Sequence, residues 1–476
     1  MAVLKHILKY SIDSTKIFSR LHHKPWAIFL DSGKPHGEYG RFDIVVADPF
    51  ITICTSSSTK GLHTEIRQNG VLSLSDDDPF AILDRLLVPY QLAKNDASFN
   101  TICSALPFMG GAVGYFGYDL MRHDAKLPAI TEQNNALPQM MVGIYDWAVI
   151  VDHREKTACL ISYGFEKSTQ DNWAALCALL DAPATLSMSD FKLTTAISSN
   201  MNFDAYAKAY NQIKFYITQG DCYQVNLAQR FSAKATGDSW VAYKKLREIS
   251  PAPFMAYMNF GNFQILSGSP ERFLQVTGQH VETRPIKGTR PRSNNKKRDH
   301  DYAVELQAST KDKAENLMIV DLLRNDISKN CEIGSVKAKP LFQLQSFANV
   351  HHLVSFITGT LRVGKTAIDL LRGCFPGGSI TGAPKIRAMQ VIEELEPHSR
   401  GVYCGAIGYI GFDGNMDTSI AIRTAVFIQD NGNEGEVSFY AGGGIVADSM
   451  LDKEYAETLD KASSMVKTMQ YFNDLD

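Results

Sequence analysis

Strand-like and helix-like segments follow one another in this sequence without regular alternation. Short runs rich in β-branched and aromatic residues at 26–31, 41–47 and 144–152 predict buried strands, and they precede the strongest helical patterns, at 203–220 and 451–471. No internal repeat is visible, and no G-x-G-x-x-G opens a strand–helix–strand unit. This order predicts an α+β architecture with mixed or antiparallel sheets rather than a regularly wound parallel sheet.

The length of the chain and one polar segment suggest two lobes. A chain of 476 residues is long enough for two or three ordinary domains, or for one large domain with two lobes. Between about 165 and 200 the sequence turns polar and loses its pattern, which is typical of a seam between lobes. We therefore expect an amino-terminal lobe at 1–195 and a second lobe at 196–476.

Charge and cysteine content exclude several classes of protein. The net charge of −3 gives no reason to expect nucleic acid as a partner. The eight cysteines are scattered without a C-x-x-C pair, so neither a zinc site nor a disulfide framework is indicated. No run approaches the ~18 apolar residues of a membrane span, and the first residues do not resemble a signal peptide. We expect a cytoplasmic protein with no membrane partner.

One lysine, Lys287, stands at the centre of a cationic segment at 283–292. Pro285 fixes its own backbone, and Gly288 lets the backbone approach a ligand closely. Taken alone, such a lysine is usually a solvated residue at the end of a strand. A chemical role for Lys287 would require acids and anion-binding groups from elsewhere in the chain.

Three glutamates on two predicted helices could supply those acids. Glu454 and Glu457 lie one turn apart on the same side of the last helix, and Glu315 lies at the polar start of another helix. Carboxylates without histidine or cysteine at ligand spacing suit Mg²⁺, which takes one or two protein carboxylates and keeps positions for water and substrate. Solvated surface glutamates are the alternative that the spacing leaves open.

Glycine-rich segments and two cationic side chains suggest anion binding. The segment 377–385 leads into a helix whose free N–H groups would favour a carboxylate or phosphate, although it is not a Walker P-loop. The glycines at 442–444 could also present successive N–H groups, with a tight turn as the alternative. Arg423 is a lone charge in an apolar strand and needs an anionic partner. Lys461 either pairs with Glu457 or faces the same ligand.

These residues belong to motifs that resemble those of the chorismate-utilising enzymes, a family that includes the anthranilate synthases. The motifs lie in order at 41–48, 142–147, 220–229, 269–273, 284–289, 314–322, 324–326, 351–355, 377–385, 417–424, 442–448 and 454–458. The resemblance implies the large two-lobed fold of that family, with sheets packed face to face and helices outside. It implies that 196–476 is the catalytic lobe and that the two lobes share one intertwined core. It also implies chorismate as the substrate.

Two positions indicate which reaction of the family to expect. Anthranilate synthases carry alanine where Lys287 stands, and isochorismate synthases carry a water-activating lysine where this chain has Gln224. The combination implies amination of chorismate at C4, a step in 4-aminobenzoate and folate synthesis, with anthranilate formation as the alternative. In that reaction Lys287 is a covalent nucleophile, which must be uncharged to attack, and Glu271 is the acid that protonates the leaving hydroxyl.

The resemblance implies the other residues of the site as well. Mg²⁺ is held by Glu315 and Glu457, with Glu454 bound directly or through water. For His352, core packing is an alternative to a place beside the substrate. The residues expected around the substrate are Thr289, His352, Thr381, Tyr409, Arg423, Gly442, Gly443, Gly444 and Lys461.

Two further partners follow from the same resemblance. No cysteine lies in the strand–turn–helix context of a glutaminase nucleophile, so ammonia is expected from a separate glutaminase subunit, component 2, as heterodimer partner. Some relatives hold tryptophan in the amino-terminal lobe, and here Gly40 and Met255 depart from the side chains expected for such a pocket. The matching positions are Ser32, Tyr39, Gly40, Arg41, Phe42, Pro253, Phe254 and Met255.

Overall fold

The structure is a computed structural model of the chain. It describes residues 3–33, 40–58, 61–91, 106–122, 124–128, 130–132, 137–183, 190–346, 350–430 and 434–473. No helix within these ranges has the length and apolar content needed to cross a membrane.

The described strands are distributed along the whole chain. In chain order they are β1 (Leu4–Leu8), β2 (Ala27–Asp31), β3 (Phe42–Val46), β4 (Ile51–Ser58), β5 (Gly61–Gln68), β6 (Val71–Ser75), β7 (Gly111–Phe116), β8 (Met140–Tyr145), β9 (Trp147–Asp152), β10 (Thr157–Ser162), β11 (Phe191–Leu193), β12 (Ser198–Ser199), β13 (Gln224–Gly237), β14 (Phe254–Asn259), β15 (Phe263–Ser269), β16 (Arg272–Thr277), β17 (His280–Thr283), β18 (Ile286–Pro291), β19 (Lys337–Ala338), β20 (Gln343–Ser346), β21 (Val350–Val354), β22 (Ile357–Thr360), β23 (Gly382–Ala383), β24 (Ala406–Gly411), β25 (Met416–Ile420), β26 (Thr424–Gln429) and β27 (Glu434–Ile445).

The described helices are concentrated in the second half of the chain. They are α1 (Thr15–Phe18), α2 (Pro79–Leu87), α3 (Lys167–Asp181), α4 (Phe203–Thr218), α5 (Ser239–Ile249), α6 (Lys296–Ala308), α7 (Thr310–Ser328), α8 (Ala367–Cys374), α9 (Lys385–Leu395) and α10 (Leu451–Gln470). Short 3₁₀ turns cover Val88–Tyr90, Tyr118–Met121 and Gly378–Ile380.

The strands form two large sheets and one small sheet. Sheet I has 13 strands in the order β1-β10-β9-β3-β2-β14-β15-β26-β27-β13-β11, with β12 and β23 also paired to β13. Sheet II has 11 strands, β19-β22-β17-β16-β25-β24-β7-β8-β4-β5-β6, and sheet III is β18-β21-β20. The ladders between these strands are antiparallel. The predicted α+β class is confirmed.

The main core lies between sheets I and II. Ile28 of sheet I and Ile53 and Val113 of sheet II are buried in one cluster. Phe29, the neighbour of Ile28, belongs to a second cluster on the opposite face of sheet I, beneath α1, α5 and α10. Successive side chains of a strand point to opposite faces, so the central strands of sheet I are buried on both sides. This double burial explains their continuous apolar runs.

Both large sheets combine strands from either side of residue 195. Strand β2 pairs with β14 in sheet I, and β7 pairs with β24 in sheet II. The segment 165–200 is not without pattern, because it contains α3, in which only Leu180 is fully buried. A helix that is polar around most of its surface gives a weak periodic signal. The boundary between lobes at 195/196 stays a prediction.

Candidate active site

Lys287 lies on β18, opposite Leu353 of β21. The register of this ladder shifts between Lys287 and Thr289, so Gly288 forms a bulge with a φ of +81°. A Cβ at Gly288 would come within 2.9 Å of Leu306 and 3.0 Å of Asp312. Only glycine fits this backbone without displacing its neighbours, and the bulge sets the direction of the Lys287 side chain.

The amine of Lys287 is held between a helix and a turn. Its Nζ lies 3.3 Å from Oε1 of Glu315 on α7 and 3.4 Å from the main-chain carbonyl oxygen of Ser379 in the turn Gly378–Ile380. The Lys287 side chain is only 15% exposed. The amine therefore points into the protein, beside one of the predicted acids, and away from bulk solvent.

Glu271 lies between β15 and β16, and its carboxyl is buried beside the same turn. Its Oε1 accepts a hydrogen bond of 3.0 Å from Oγ of Ser379. Burial raises the pKa of Glu271 above its ordinary value, while the charges of Lys287 and Lys461 and the Ser379 hydrogen bond oppose the rise. A carboxyl with a raised pKa keeps its proton to higher pH, which suits a general acid.

The glycines of β27 leave space for side chains from two directions. A Cβ added at Gly443 would lie 3.4 Å from Oε2 of Glu454 and 3.6 Å from Oε1 of Glu457. A Cβ added at Gly444 would lie 2.6 Å from Nε2 of Gln224. Both glutamates of α10 and the amide of Gln224 therefore border β27 where its residues have no side chains.

Each of the two glutamates has a polar neighbour. Oε1 of Glu454 accepts a hydrogen bond of 2.6 Å from Oγ of Ser449. Nζ of Lys461 lies 2.7 Å from Oε1 of Glu457 and donates a hydrogen bond of 3.1 Å to the carbonyl oxygen of Gly442. The ion pair between Lys461 and Glu457 on the face of α10 is therefore present, and Lys461 also contacts β27.

The electrostatic environments of the two glutamates differ. Burial and the charge of Glu457 raise the pKa of Glu454. Burial also acts to raise the pKa of Glu457, but the ion pair with Lys461 and the charges of Lys287 and Lys311 outweigh it, so this pKa lies below its ordinary value. Glu457 is therefore the more strongly ionised acid of the pair at neutral pH.

The residues present fit a magnesium ion in their chemistry. Among the described residues, no group of three or more His, Cys, Asp and Glu side chains is already arranged to hold a metal. Glu454 and Glu457 nevertheless converge beside Gly443, and Glu315 faces Lys287, whose charge also acts on Glu457. The available donors are carboxylate oxygens, which Mg²⁺ prefers.

Arg423 occupies a break between strands. The sequence predicts a position within a strand, which is wrong: β25 ends at Ile420, β26 begins at Thr424, and Arg423 has a φ of +50°. This left-handed backbone interrupts the ladder and redirects the side chain. Burial lowers the pKa of Arg423, and its guanidinium makes no hydrogen bond or ion pair with the residues that the structure describes.

His352 lies close to Arg423 and bonds to a residue next to the bulge. Its Nδ1 is 2.9 Å from Oγ1 of Thr289. Burial, and then the charge of Arg423, lowers the pKa of His352 to about 4. The imidazole is therefore neutral at neutral pH. The structure thus brings three of the residues predicted around the substrate into one region.

Two further polar residues of the site are completely buried. Oγ1 of Thr381 donates a hydrogen bond of 2.8 Å to the carbonyl oxygen of Gly377, so this hydroxyl stabilises the turn. Gln224 begins β13, and neither its amide nitrogen nor its amide oxygen has a hydrogen-bond partner in the described part of the chain. An unsatisfied buried amide is costly, so Gln224 is available to a ligand or to water.

Tyr409 is not brought to Lys287. Strand β24 lies between β7 and β25, and the Tyr409 ring packs against Phe108 with 5.2 Å between ring centres. Tyr409 lines a separate cavity of about 350 Å³, here called the Tyr409 cavity. No contact between Tyr409 and Lys287 is found among the described residues, and the expectation that Tyr409 contacts the substrate stays a prediction.

Most positions predicted for tryptophan line the Tyr409 cavity. Tyr39 lies outside the described residues, and Gly40 is buried without lining the cavity. The remaining six positions, Ser32, Arg41, Phe42, Pro253, Phe254 and Met255, all line it.

The sequence motifs did not indicate two supporting residues. Ser379 contacts both Lys287 and Glu271, and Asn316 bonds to Ser355 at 2.6 Å and so ties α7 to the end of β21. Ser379 lies in the glycine-rich segment 377–385, whose motif points to backbone N–H groups. Asn316 lies in 314–322, whose motif points to the neighbouring Glu315. A small polar residue within a glycine-rich or apolar motif is the signal that could have revealed them.

Comparison with known proteins identifies the family of this chain. Residues 51–467 match the family described as chorismate binding enzyme. The chain is 47% identical over 453 residues to aminodeoxychorismate synthase component 1 of Escherichia coli strain K12, covering 95% of both proteins. It is 36% identical over 469 residues to anthranilate synthase component 1 of Pseudomonas putida, covering 95% of this chain and 92% of the relative. The crystal structure of anthranilate synthase component I from Streptococcus pneumoniae TIGR4 is similar with a TM-score of 0.76 and 32% identity, covering 90% of this chain and 92% of that one. The chain belongs to the chorismate binding enzymes.

Proposed function

We propose that this chain catalyses the synthase reaction of an aminodeoxychorismate synthase, in which chorismate and ammonia give 4-amino-4-deoxychorismate and water. The observation that carries the proposal is the meeting of an amine and a buried acid at one turn. Lys287 and Glu271 both contact Ser379, and Lys287 replaces the alanine expected in anthranilate synthases. The 47% identity to the Escherichia coli relative over nearly the whole chain supports the same reaction.

In the first step Lys287 attacks the ring. The uncharged amine adds to C2 of chorismate, the two ring double bonds shift, and the C4–O bond breaks. Glu271 gives its proton to the departing oxygen, so that water leaves instead of hydroxide, which is a poor leaving group. The raised pKa of Glu271 supports this role, because a larger fraction of the carboxyl is protonated at a given pH.

In the second step ammonia adds at C4. The double bonds shift back, the bond between C2 and the Lys287 nitrogen breaks, and the lysine is released as a free amine. The new ammonium group at C4 returns a proton to the Glu271 carboxylate. Both groups are thereby restored, and the sum is one ammonia consumed and one water formed.

The charges around the site suit a substrate with two carboxylates. Arg423 is half-buried and has no partner among the described residues, so we assign it to the enolpyruvyl carboxylate. Mg²⁺ bound by Glu315, Glu457 and Glu454 would neutralise and orient the ring carboxylate. Glu315 also contacts Lys287 directly, so the proposed metal ligand and the proposed nucleophile are neighbours.

Ammonia is proposed to come from a separate glutaminase subunit in the cytoplasm. The similar Escherichia coli protein is named component 1, which supports a second component as partner. Free ammonium should replace that partner in vitro, because the proposed chemistry uses ammonia itself.

The test is direct product analysis. The purified chain is incubated with chorismate, Mg²⁺ and ammonium, and 4-aminobenzoate is measured after addition of the lyase that converts aminodeoxychorismate. We expect 4-aminobenzoate only when the lyase is present, and loss of product when EDTA removes Mg²⁺. Fluorescent anthranilate formed without the lyase would overturn the proposal in favour of anthranilate synthesis.

A further inference from the structure

Ser379 touches both reacting groups, although it is not among the residues predicted for the site. Its side-chain hydroxyl donates the 3.0 Å hydrogen bond to Oε1 of Glu271. Its main-chain carbonyl oxygen lies 3.4 Å from Nζ of Lys287. Ser379 is 7% exposed, so water has little access to replace either contact.

The turn that carries Ser379 is fixed from behind. Nη1 of Arg400 donates a hydrogen bond of 3.0 Å to the carbonyl oxygen of Ile380, and Arg400 is itself held by Glu396 at 2.7 Å in a fully buried ion pair. On the other side, Thr381 bonds back to Gly377. A buried and fully satisfied network of this kind restricts the position of the residue that it encloses.

We propose that Ser379 is a positioning residue for the reaction, which orients the carboxyl of Glu271 through its hydroxyl and the amine of Lys287 through its carbonyl. The effect on kcat rests on the proposed function. The effect on the pKa of Glu271 does not, because it can be measured without turnover. The two contacts use different atoms of one residue. A side-chain substitution therefore removes the contact to Glu271 and leaves the carbonyl that faces Lys287.

The hydroxyl also affects the protonation of Glu271. A donor that bonds to a carboxylate favours the ionised form, so Ser379 opposes the effect of burial on this acid. Removing the hydroxyl should raise the pKa of Glu271 further, by roughly one pH unit. A serine that only fills space would not have this effect.

The primary experiment is an infrared titration of the whole protein without substrate. The carbonyl band of protonated Glu271 is identified by its loss in Glu271→Gln, and its titration midpoint is compared in wild type and Ser379→Ala. We expect a higher midpoint in Ser379→Ala and recovery of the wild-type midpoint in Ser379→Thr, which keeps a hydroxyl. Ser162→Ala is the matched control, because this buried serine of β10 accepts a hydrogen bond from the backbone N–H of Gly164. The midpoint of Glu271 should not move in that variant.

An identical midpoint in wild type and Ser379→Ala would overturn the inference. If the alanine variant does not fold, Ser379→Cys replaces it, because a thiol is a weaker donor and should shift the midpoint in the same direction by less. An unchanged midpoint in Ser379→Cys would then be decisive against the inference.

The second readout is the amination rate. We expect kcat of Ser379→Ala to fall about tenfold at constant pH, with KM for chorismate within about twofold and with most of the loss recovered in Ser379→Thr. Equal kcat values in wild type and Ser379→Ala would overturn the positioning role. A wild-type protein that makes no aminodeoxychorismate would instead refute the proposed function, and the infrared comparison would still decide whether Ser379 controls Glu271.

Discussion

The polar groups near Lys287 and those around the Tyr409 cavity differ in how they are paired. Near Lys287, Arg423 and the amide of Gln224 have no partner among the described residues. Around the Tyr409 cavity, Arg41 lies 2.7 Å from Asp152, and Asp31 accepts bonds from the buried guanidinium of Arg247. The first region has costly polar groups that a charged ligand could satisfy, whereas Arg41 and Asp31 in the second region are paired within the protein.

One acid beside each region illustrates how burial and neighbouring charges compete in setting a pKa. Near Lys287, burial outweighs the neighbouring cations and raises the pKa of Glu271. Beside the Tyr409 cavity, burial is outweighed by the hydrogen bond and charge of His153, and the pKa of Asp43 falls to about 2. The acid proposed to give up a proton thus has a raised pKa, and the acid that bonds to His153 has a lowered one.

The largest expected effect is on Lys287. Lys287→Ala should lower the rate of C4 amination by more than about a thousandfold, because the bond to C2 can no longer form. The measurement is 4-aminobenzoate formation in the coupled assay. Lys287→Arg is the informative comparison, because it keeps a positive charge but cannot lose its proton. If the arginine variant were as active as wild type, the amine would serve only as a charge.

Arg247 tests whether the charges beside the Tyr409 cavity are structural. Arg247→Met leaves Asp31, which is 2% exposed, without its charged partner and should lower the free energy of unfolding by about 3–5 kcal/mol. The measurement is chemical denaturation at neutral pH. KM for chorismate should stay unchanged in the folded variant. A stable Arg247→Met protein with a raised KM would reverse the roles assigned to the two regions.

Arg423 should respond in the opposite way. Arg423→Met removes a half-buried charge that has no partner among the described residues, so unfolding should become no easier, and the protein should if anything gain stability. KM for chorismate should rise roughly 10- to 150-fold, because a charge-assisted hydrogen bond to the substrate is lost. A destabilised variant with an unchanged KM would show that Arg423 supports the fold instead.

These contrasts show which features of the protein the sequence could indicate. Helix α10 was predicted at 451–471 and runs over Leu451–Gln470, because its 3.6-residue period is strong. The direction of the Arg423 side chain depends on the left-handed backbone of that one residue. Ser379 contacts Lys287 on β18 and Glu271 after β15, although Ser379 lies more than 90 residues from Lys287 in sequence. Local patterns do not encode such long-range contacts. Motif resemblance points to Glu271 and Glu315 as site residues, but not to Ser379, which bonds to Glu271.

A smaller effect is expected from pH. The pKa of Glu271 is raised from an ordinary value of 4.5, so its contribution to stability is present below that pH and is lost as the pH rises through the folded-state pKa. Wild type should therefore lose stability relative to Glu271→Gln above about pH 4.5. For Asp43 the pKa falls from 3.8 to about 2, so wild type should lose stability relative to Asp43→Asn as the pH falls from about 4 to 2.

Within its window each slope should approach about 1.4 kcal/mol per pH unit, negative for Glu271 and positive for Asp43. Denaturation curves of the two pairs at several pH values measure both. Slopes of the same sign would contradict the opposite pKa shifts of Glu271 and Asp43.

The smallest expected effect concerns tryptophan in the Tyr409 cavity. Six of the positions expected to hold it line this cavity, and the charges there are already paired, so an aromatic amino acid would bind mainly by its shape and ring contacts. At about tenfold above its Kd, such a ligand adds about 1.4 kcal/mol to stability, which corresponds to a rise in Tm of roughly 1–3 °C for a chain of this size.

The measurement is thermal denaturation with and without free tryptophan, and Phe42→Asp, which places a charge in the lining, is the matched control. The amination rate under the same conditions shows whether binding there reaches Lys287. An unchanged Tm in wild type would mean that the cavity does not take tryptophan, and a rise that persists in Phe42→Asp would mean that tryptophan binds elsewhere.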